Sequence, residues 1–167
     1  MSETVVNYDP KGSYKVRVYD VTYRKDEDGS WAARIYQPEG AGPFPALLDV
    51  HGGAWNRGSY TDNERMDQAL AASGLVVAAI ALRRAPQYPY PAQVADANYG
   101  TRWLKAHAHD FNGDPRFVGG LGSSSGGHTL MLSAMHPYDP RYRVLPLPEA
   151  NAVDATHSYV LAAWPVL

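Results

Sequence analysis

The chain has 167 residues, of which 45% are hydrophobic, enough for one domain with a substantial core. Fifteen basic and 17 acidic residues give a net charge of −2 with no block of either sign, which argues against a nucleic-acid or anionic-membrane surface. Without cysteine, the chain has no disulfide, thiolate metal site or cysteine nucleophile.

The first forty residues predict an antiparallel hairpin over about residues 13–37. Residues 14–23 alternate between apolar and polar side chains, the segment D-E-D-G forms a turn, and residues 31–36 return as a second strand. Residues 45–50 (P-A-L-L-D-V) and 75–82 are nearly continuous apolar runs, as expected for strands that are buried on both faces.

Helices alternate with strands in the rest of the chain. Helices are predicted for residues 62–73, with an acidic first turn and a glycine behind it, for 91–108, which opens with a proline, and for 126–134. Further strands are predicted for 116–121 and 158–166, and residues 138–153 read as a loop. This order predicts a single α/β domain over residues 1–167, with a mostly parallel sheet and helices on both faces.

Residues 121–128 read L-G-S-S-S-G-G-H, and residues 122–126 fit G-x-S-x-G with Ser124 at the centre. The motif follows an apolar strand and precedes a helix, as a nucleophile elbow requires. Glycines permit the tight strained turn, and the N–H of Ser125 points to the site where an oxyanion forms. The segment alone is equally typical of a flexible loop or a phosphate-binding turn. Ser123 and Ser125 are alternative nucleophiles, but the glycine frame favours Ser124.

A second motif, H-G-G-A-W at residues 51–55, directly follows the buried strand that ends at Val50. A glycine pair at the carboxyl end of a strand lets backbone N–H groups face a ligand closely, as the second donor of an oxyanion hole does. An ordinary turn, with His51 bonded to loop backbone, is the alternative. Together, and in this order, the two motifs favour a serine hydrolase.

Three collinear segments resemble the α/β-hydrolase superfamily, in the branch of hormone-sensitive lipase, small carboxylesterases and kynurenine formamidases. H-G-G-A-W resembles that branch's H-G-G-G or H-G-G-x-W loop, and G-S-S-S-G-G-H resembles its G-x-S-A-G-G-H elbow. A-L-R-R-A-P-Q-Y-P-Y-P-A-Q-V-A-D-A at 81–97 resembles D-Y-R-L-A-P-E-x-P-F-P-A-x-x-x-D-A. The resemblance covers residues 30–167 and implies an α/β-hydrolase fold whose C-terminal part is missing from this chain.

The resemblance also implies roles for the matching residues. Ser124 is the acyl-accepting nucleophile, and the N–H groups of Gly53, Ala54 and Ser125 form the oxyanion hole, with Gly52 allowing the turn. Ala54 stands where many relatives have a third glycine, and a backbone donor survives that change.

Four other positions are expected to be structural: His51 organises its loop, Arg83 and Asp96 form a supporting ion pair, and His128 packs in the elbow helix. Trp55 and Tyr60 follow the glycine loop and are candidates for an apolar substrate pocket, with simple packing as the alternative.

A serine hydrolase also needs a histidine base and a carboxylate that orients it, following the serine in the chain. The candidates are unsuitable, because His136 ends the elbow helix far from Ser124. Asp154 and His157 precede the last strand and so lie at the opposite edge of the sheet. We therefore expect a C-terminal segment or a second chain, in a heteromer, to supply both groups.

The sequence thus predicts the N-terminal part of a carboxylesterase or amidase, inactive without its C-terminal part, that acts on a small ester or amide. The alternative is a non-catalytic ligand-binding pseudoenzyme or a truncated fragment. No metal or other cofactor is predicted, nor a nucleic-acid or membrane partner. The chain's start lacks a basic and an apolar signal region, so we expect a cytoplasmic protein.

Overall fold

The computed structural model describes residues 9–163 and begins with the expected hairpin. Strand β1 (Val16–Asp26) pairs antiparallel with β2 (Gly29–Pro38), with one irregularity of register between Thr22 and Arg24. The hairpin is confirmed, although β2 begins earlier and both strands end later than the alternating pattern indicates. The turn between them is shorter than D-E-D-G, since Asp26 and Gly29 already pair.

The hairpin continues into a six-stranded sheet. The other strands are β3 (Phe44–Val50), β4 (Val76–Ile80), β5 (Gly113–Ser123) and β6 (Val160–Ala163). Their spatial order is β1-β2-β4-β3-β5-β6; β2 meets β4 antiparallel, and all later pairs are parallel. The final strand predicted for 158–166 is shorter at its start, and residues 164–166 lie outside the described residues.

Three helices connect the parallel strands. They are α1 (Glu64–Ala72), α2 (Ala92–His107) and α3 (Ser125–Met135). Helix α1 starts two residues later than predicted, because the N–H of Asp62 donates to Ser59 in a preceding turn. The predicted loop at 138–153 is largely irregular, with one short 3-10 turn at Pro148–Ala150. Within residues 9–163 we find no helix whose length and apolarity would suit a membrane span.

The sheet is covered on both faces, which explains its continuous apolar strands. Neighbouring residues of β3 point in opposite directions, so Leu48 joins a core cluster with Leu104 of α2 and Leu130 of α3, whereas Leu47 joins a smaller cluster with Ala71 of α1. The parallel pairing of β3 with β5 then brings the segments that follow Val50 and Gly122 to the same edge of the sheet.

Candidate active site

Ser124 occupies the apex of the turn between β5 and α3. Its φ of 51° and ψ of −121° lie in a region that residues other than glycine rarely adopt. A Cβ at Gly126 would come within 2.1 Å of the carbonyl oxygen of Val50, and one at Gly122 within 2.6 Å of that of Gly126. The two glycines of the motif are therefore required by backbone contacts, and Ser124 is the strained residue between them.

The three serines differ in what their hydroxyl groups contact. Ser125 is buried, and its Oγ accepts a hydrogen bond of 3.4 Å from the N–H of Trp55. Ser123 Oγ accepts one of 3.2 Å from the amide of Asn63. Ser124 Oγ has no hydrogen-bond partner among residues 9–163, so it is the hydroxyl of the three that is uncommitted.

The glycine loop, residues 51–55, lies directly against this turn. A Cβ at Gly52 would be 2.9 Å from the carbonyl oxygen of Ser123 and 3.2 Å from the Cβ of Ser124. The next three residues all have positive φ, 118° at Gly53, 51° at Ala54 and 62° at Trp55. This tight curl needs Gly53, whose added Cβ would meet the carbonyl oxygen of Arg57 at 2.2 Å.

Backbone donors are available where the two segments meet. The N–H groups of Gly53 and Ala54 donate to no acceptor in the described part of the chain. The N–H of Ser125 belongs to the first turn of α3, where helix geometry offers no acceptor, and the positive end of the helix dipole lies there. These are the three groups assigned to the oxyanion hole from the sequence, and the fold brings their segments together.

His51 is occupied within its own loop, as the sequence predicted. Its side chain is buried and its Nδ1–H donates to the carbonyl oxygen of Gly52 over 2.7 Å. Burial lowers the pKa of the imidazole, which favours the neutral form. This contact fits the predicted role of His51 in its loop, which stays a prediction; its ring forms no hydrogen bond with Ser124.

The rings of the other histidines form no hydrogen bond with Ser124 Oγ either; His128 meets Ser124 only through its backbone N–H, which donates to the Ser124 carbonyl oxygen over 3.3 Å. His157 accepts or donates a 3.0 Å hydrogen bond with Thr101, and burial lowers its pKa to about 4. It lies against the middle of β5 and not at the opposite edge of the sheet: a Cβ at Gly120 would be 3.1 Å from its ring, and the N–H of the neighbouring Ser158 donates to Val118. His136 follows the last residue of α3. All six histidines of the chain lie within residues 9–163, and no histidine ring forms a hydrogen bond with Ser124 Oγ.

His128 differs from the expectation for it. The sequence predicts that His128 packs within the elbow helix, but its side chain is exposed. Its ring meets that of Trp55 edge-on, with 5.5 Å between the centroids. The residue thus lies on the outer surface of α3, beside the glycine loop.

The predicted pair of Arg83 and Asp96 is present, with 2.8 Å between Arg83 Nη2 and Asp96 Oδ1. The backbone N–H of Arg83 also donates to Asp96 Oδ2 over 2.7 Å. A third member, Arg24 of β1, was not predicted; its buried guanidinium contacts the same carboxylate. The signal for it was weak, since Arg24 stands in an alternating strand where basic residues usually face solvent.

Trp55 and Tyr60, predicted together as pocket residues, are separated in the structure. Trp55 borders a mostly apolar cavity of about 160 Å³ next to α3; its other lining residues are Ala85, Tyr90, Gln93, Val94, His128 and Thr129. Tyr60 borders a different cavity, and its hydroxyl donates to Asp20 while the Arg34 guanidinium lies over its ring. Tyr60 therefore packs against the hairpin, and Trp55 alone of the two lies beside the elbow.

A buried polar cluster under the elbow was missed by the sequence analysis. Asp49 of β3 and Asp67 of α1 are both fully buried, and burial raises the pKa of each carboxyl group. The amide of Asn63 bridges Asp49 and Ser123. The signal available in the sequence was an acidic residue inside the otherwise apolar run P-A-L-L-D-V.

Known proteins that are similar to this chain are described as ester hydrolases. A family model described as BD-FAE matches residues 34–146. Two relatives from Mycobacterium tuberculosis are the probable carboxylic ester hydrolase LipM, 35% identical over 61% of this chain and 24% of the relative, and the esterase LipC, 36% identical over 68% of this chain and 28% of the relative. The matched part of this chain thus spans about a quarter of these relatives' length.

Solved structures of esterases share the fold. Esterase 2 of Thermogutta terrifontis, phosphorylated by paraoxon, superposes with a TM-score of 0.76 at 24% identity, covering 90% of this chain and 58% of that one. The hyperthermophilic esterase of Pyrobaculum calidifontis gives a TM-score of 0.67 at 30% identity, covering 78% and 42%. The α/β-hydrolase fold expected from the sequence is confirmed by these likenesses.

Proposed function

This chain belongs to the BD-FAE family, and on that premise we propose that it is the part of a serine carboxylic ester hydrolase that carries the nucleophile. The observation that carries the proposal is the position of Ser124. Its uncommitted hydroxyl stands at a strained strand-to-helix turn, against a loop in which the N–H groups of Gly53 and Ala54 lack an acceptor in the described residues. This combination suits attack on a carbonyl carbon followed by stabilisation of the oxyanion.

The reaction would proceed through an acyl-enzyme. Ser124 Oγ loses its proton to a base and bonds to the carbonyl carbon of the ester, whose oxygen becomes an oxyanion held by the N–H groups of Gly53, Ala54 and Ser125. The tetrahedral intermediate collapses, the C–O bond to the alcohol breaks, and the alkoxide takes the proton back from the base. Water then attacks the acyl carbon by the same route and releases the acid. Small amides are the second substrate class, since they use the same nucleophile.

The base and its carboxylate partner are proposed to come from residues outside this sequence, in the same polypeptide or in a second chain. The support is that no histidine ring of this chain forms a hydrogen bond with Ser124 Oγ. The names of the relatives, carboxylic ester hydrolase and esterase, favour esters over amides. The cavity beside Trp55 is of the size of a small acyl or alcohol group.

The experiment is covalent labelling with a fluorophosphonate, followed by peptide mass spectrometry, on the natively purified protein with any chain that accompanies it. We expect modification of Ser124 and its loss in Ser124→Ala; in Ser123→Ala the modified residue should still be Ser124, at a lower rate. Hydrolysis of p-nitrophenyl acetate and of the matching anilide then ranks ester against amide. If Ser124 stays unlabelled in a complex that contains a late Asp and His, the proposal is wrong.

A ligand-binding protein without catalysis is the second candidate, favoured by the absence, among the described residues, of a histidine ring hydrogen-bonded to Ser124 Oγ. An intact-mass spectrum under denaturing conditions separates the two. A species or companion chain that continues the fold with an Asp and a His supports the hydrolase. The 18.3 kDa chain alone, folded and unlabelled, supports the binding protein.

A further inference from the structure

Below the elbow, on the α1 face of the sheet, lies a partly buried group of polar side chains that the proposed reaction does not use. Asp49 projects from β3, two residues before the glycine loop, and Ser123 is the last residue of β5. Asn63 lies between them, just before α1. The group therefore joins the three elements that surround the nucleophile.

Asn63 contacts both strands with one amide group. Its Nδ2 lies 2.9 and 3.0 Å from the two carboxylate oxygens of Asp49, and 3.2 Å from Ser123 Oγ. The two hydrogens of the amide are thus shared between the strand that leads to the glycine loop and the residue that precedes Ser124.

The position of Asn63 in the chain makes these contacts notable. It is the residue at the amino-terminal cap of α1, where an asparagine side chain normally accepts a hydrogen bond from the backbone of the first turn. Here the side chain makes no such bond. Its donors point instead toward Asp49 and Ser123, so the helix forgoes a cap while the two strands gain a link.

Asp49 accepts its side-chain hydrogen bonds from Asn63. Asp49 is fully buried, and its carboxylate forms no ion pair with a cation among the described residues. Its charged neighbour Asp67 of α1 is acidic as well. A buried carboxyl group without a cation is stabilised by the hydrogen bonds it accepts, and losing them is costly. The hydrogen bonds from the Asn63 amide therefore tie Asn63 firmly to β3.

We propose that Asn63 is a positioning residue for Ser124, fastening the elbow to strand β3 so that the strained turn and the glycine loop keep a fixed relative position. This inference rests on the proposed function, because it assigns Asn63 a role through Ser124. Contact between the turn and the loop is already tight, with Gly52 against Ser123 and Ser124. A small rotation of β5 against β3 would therefore move Ser124 relative to the backbone donors.

The first experiment needs no catalysis. Amide hydrogen exchange is measured on Asn63→Ala, on Ser123→Ala and on the control Leu70→Ala, which removes partly buried apolar contacts of the same helix. We expect exchange at residues 51–55 and 123–126 to rise about 10-fold or more in the first two variants. In the control, exchange in these two segments should rise by no larger a factor than exchange in the rest of the sheet. A rise in the first two variants that is no larger in these segments than elsewhere overturns the proposal.

The second experiment reads the nucleophile itself in the labelled complex. We expect the fluorophosphonate rate constant at Ser124 to fall about 10-fold or more in Asn63→Ala and Ser123→Ala. The double variant should lose little more than either single one, because both remove the same link. Unchanged labelling rates in the two single variants refute the positioning role. If the wild-type protein is not labelled at all, the hydrolase proposal fails, and hydrogen exchange alone decides whether Asn63 holds the elbow.

Discussion

The strain at Ser124 can be measured by replacing the residue with alanine and with glycine. Ser124→Ala keeps the Cβ in the conformation with φ of 51° and ψ of −121°, whereas Ser124→Gly removes it. Such a conformation costs a non-glycine residue about 1–3 kcal/mol. Glycine also gives the unfolded chain more conformational freedom, which lowers the free energy of unfolding by about 0.4–1 kcal/mol. The free energy of unfolding should therefore be higher for the glycine variant by about 1–2 kcal/mol.

Urea unfolding followed by circular dichroism gives the difference, and thermal unfolding checks it as a rise of about 2–8 °C at about 2–4 °C per kcal/mol. The matched control is Ala69→Gly on the exposed side of α1, which makes the same chemical change at a helical position. It should lower the free energy of unfolding by about 1 kcal/mol. The two sites thus predict opposite signs. If Ser124→Gly is less stable than Ser124→Ala by the amount seen at Ala69, the elbow stores no strain and the argument fails.

Three further changes test the surroundings of the elbow. Gly126→Ala places a Cβ about 2.1 Å from the carbonyl oxygen of Val50, so we expect the free energy of unfolding in urea to fall by about 3 kcal/mol or more. Labelling of Ser124 should be lost, and a folded variant that is still labelled contradicts this. Asp96→Ala leaves the guanidinium groups of Arg24 and Arg83 without their shared carboxylate, so the free energy of unfolding in urea should fall by about 3–5 kcal/mol. A fall of less than about 1 kcal/mol, as for a surface ion pair, would contradict this. Burial raises the pKa of Asp67 above that of the unfolded chain, so stability is lost as pH rises from about 4 through the folded-state pKa. Asp67→Asn should flatten this slope between pH 5 and 9, and identical slopes in variant and wild type would show that Asp67 does not titrate abnormally.

Much of the site could be read from local sequence because its chemistry depends on local backbone conformation. G-S-S-S-G places its central serine two residues from each of two glycines, and the structure shows why each glycine is needed: a Cβ at Gly122 or Gly126 would strike main-chain atoms. The glycine loop was found in the same way, through a Gly-Gly pair after an apolar strand. The alternating hairpin and the continuous apolar runs likewise identify strands with one exposed face and strands with none.

The contacts between distant segments could not be read in this way. Arg24 looked like a surface residue of an edge hairpin, yet the pairing of β2 with β4 carries it to Asp96, 72 positions away. Trp55 and Tyr60 are five residues apart, but the turn between them sends one side chain to α3 and the other to the hairpin. Residues that are close in sequence need not line the same pocket when the chain turns sharply between them.

The sequence by itself determined the elements, their α/β order and the identity of the strained serine, because periodicity and glycine placement act within a few residues. The tertiary structure alone decided which groups surround that serine. The order β4-β3-β5 sets Asp49 beside Ser123 and brings α1 over both, so that Asn63 can bridge them. No local pattern contains that order, since it follows from how the strands pair and from the right-handed crossovers that connect them.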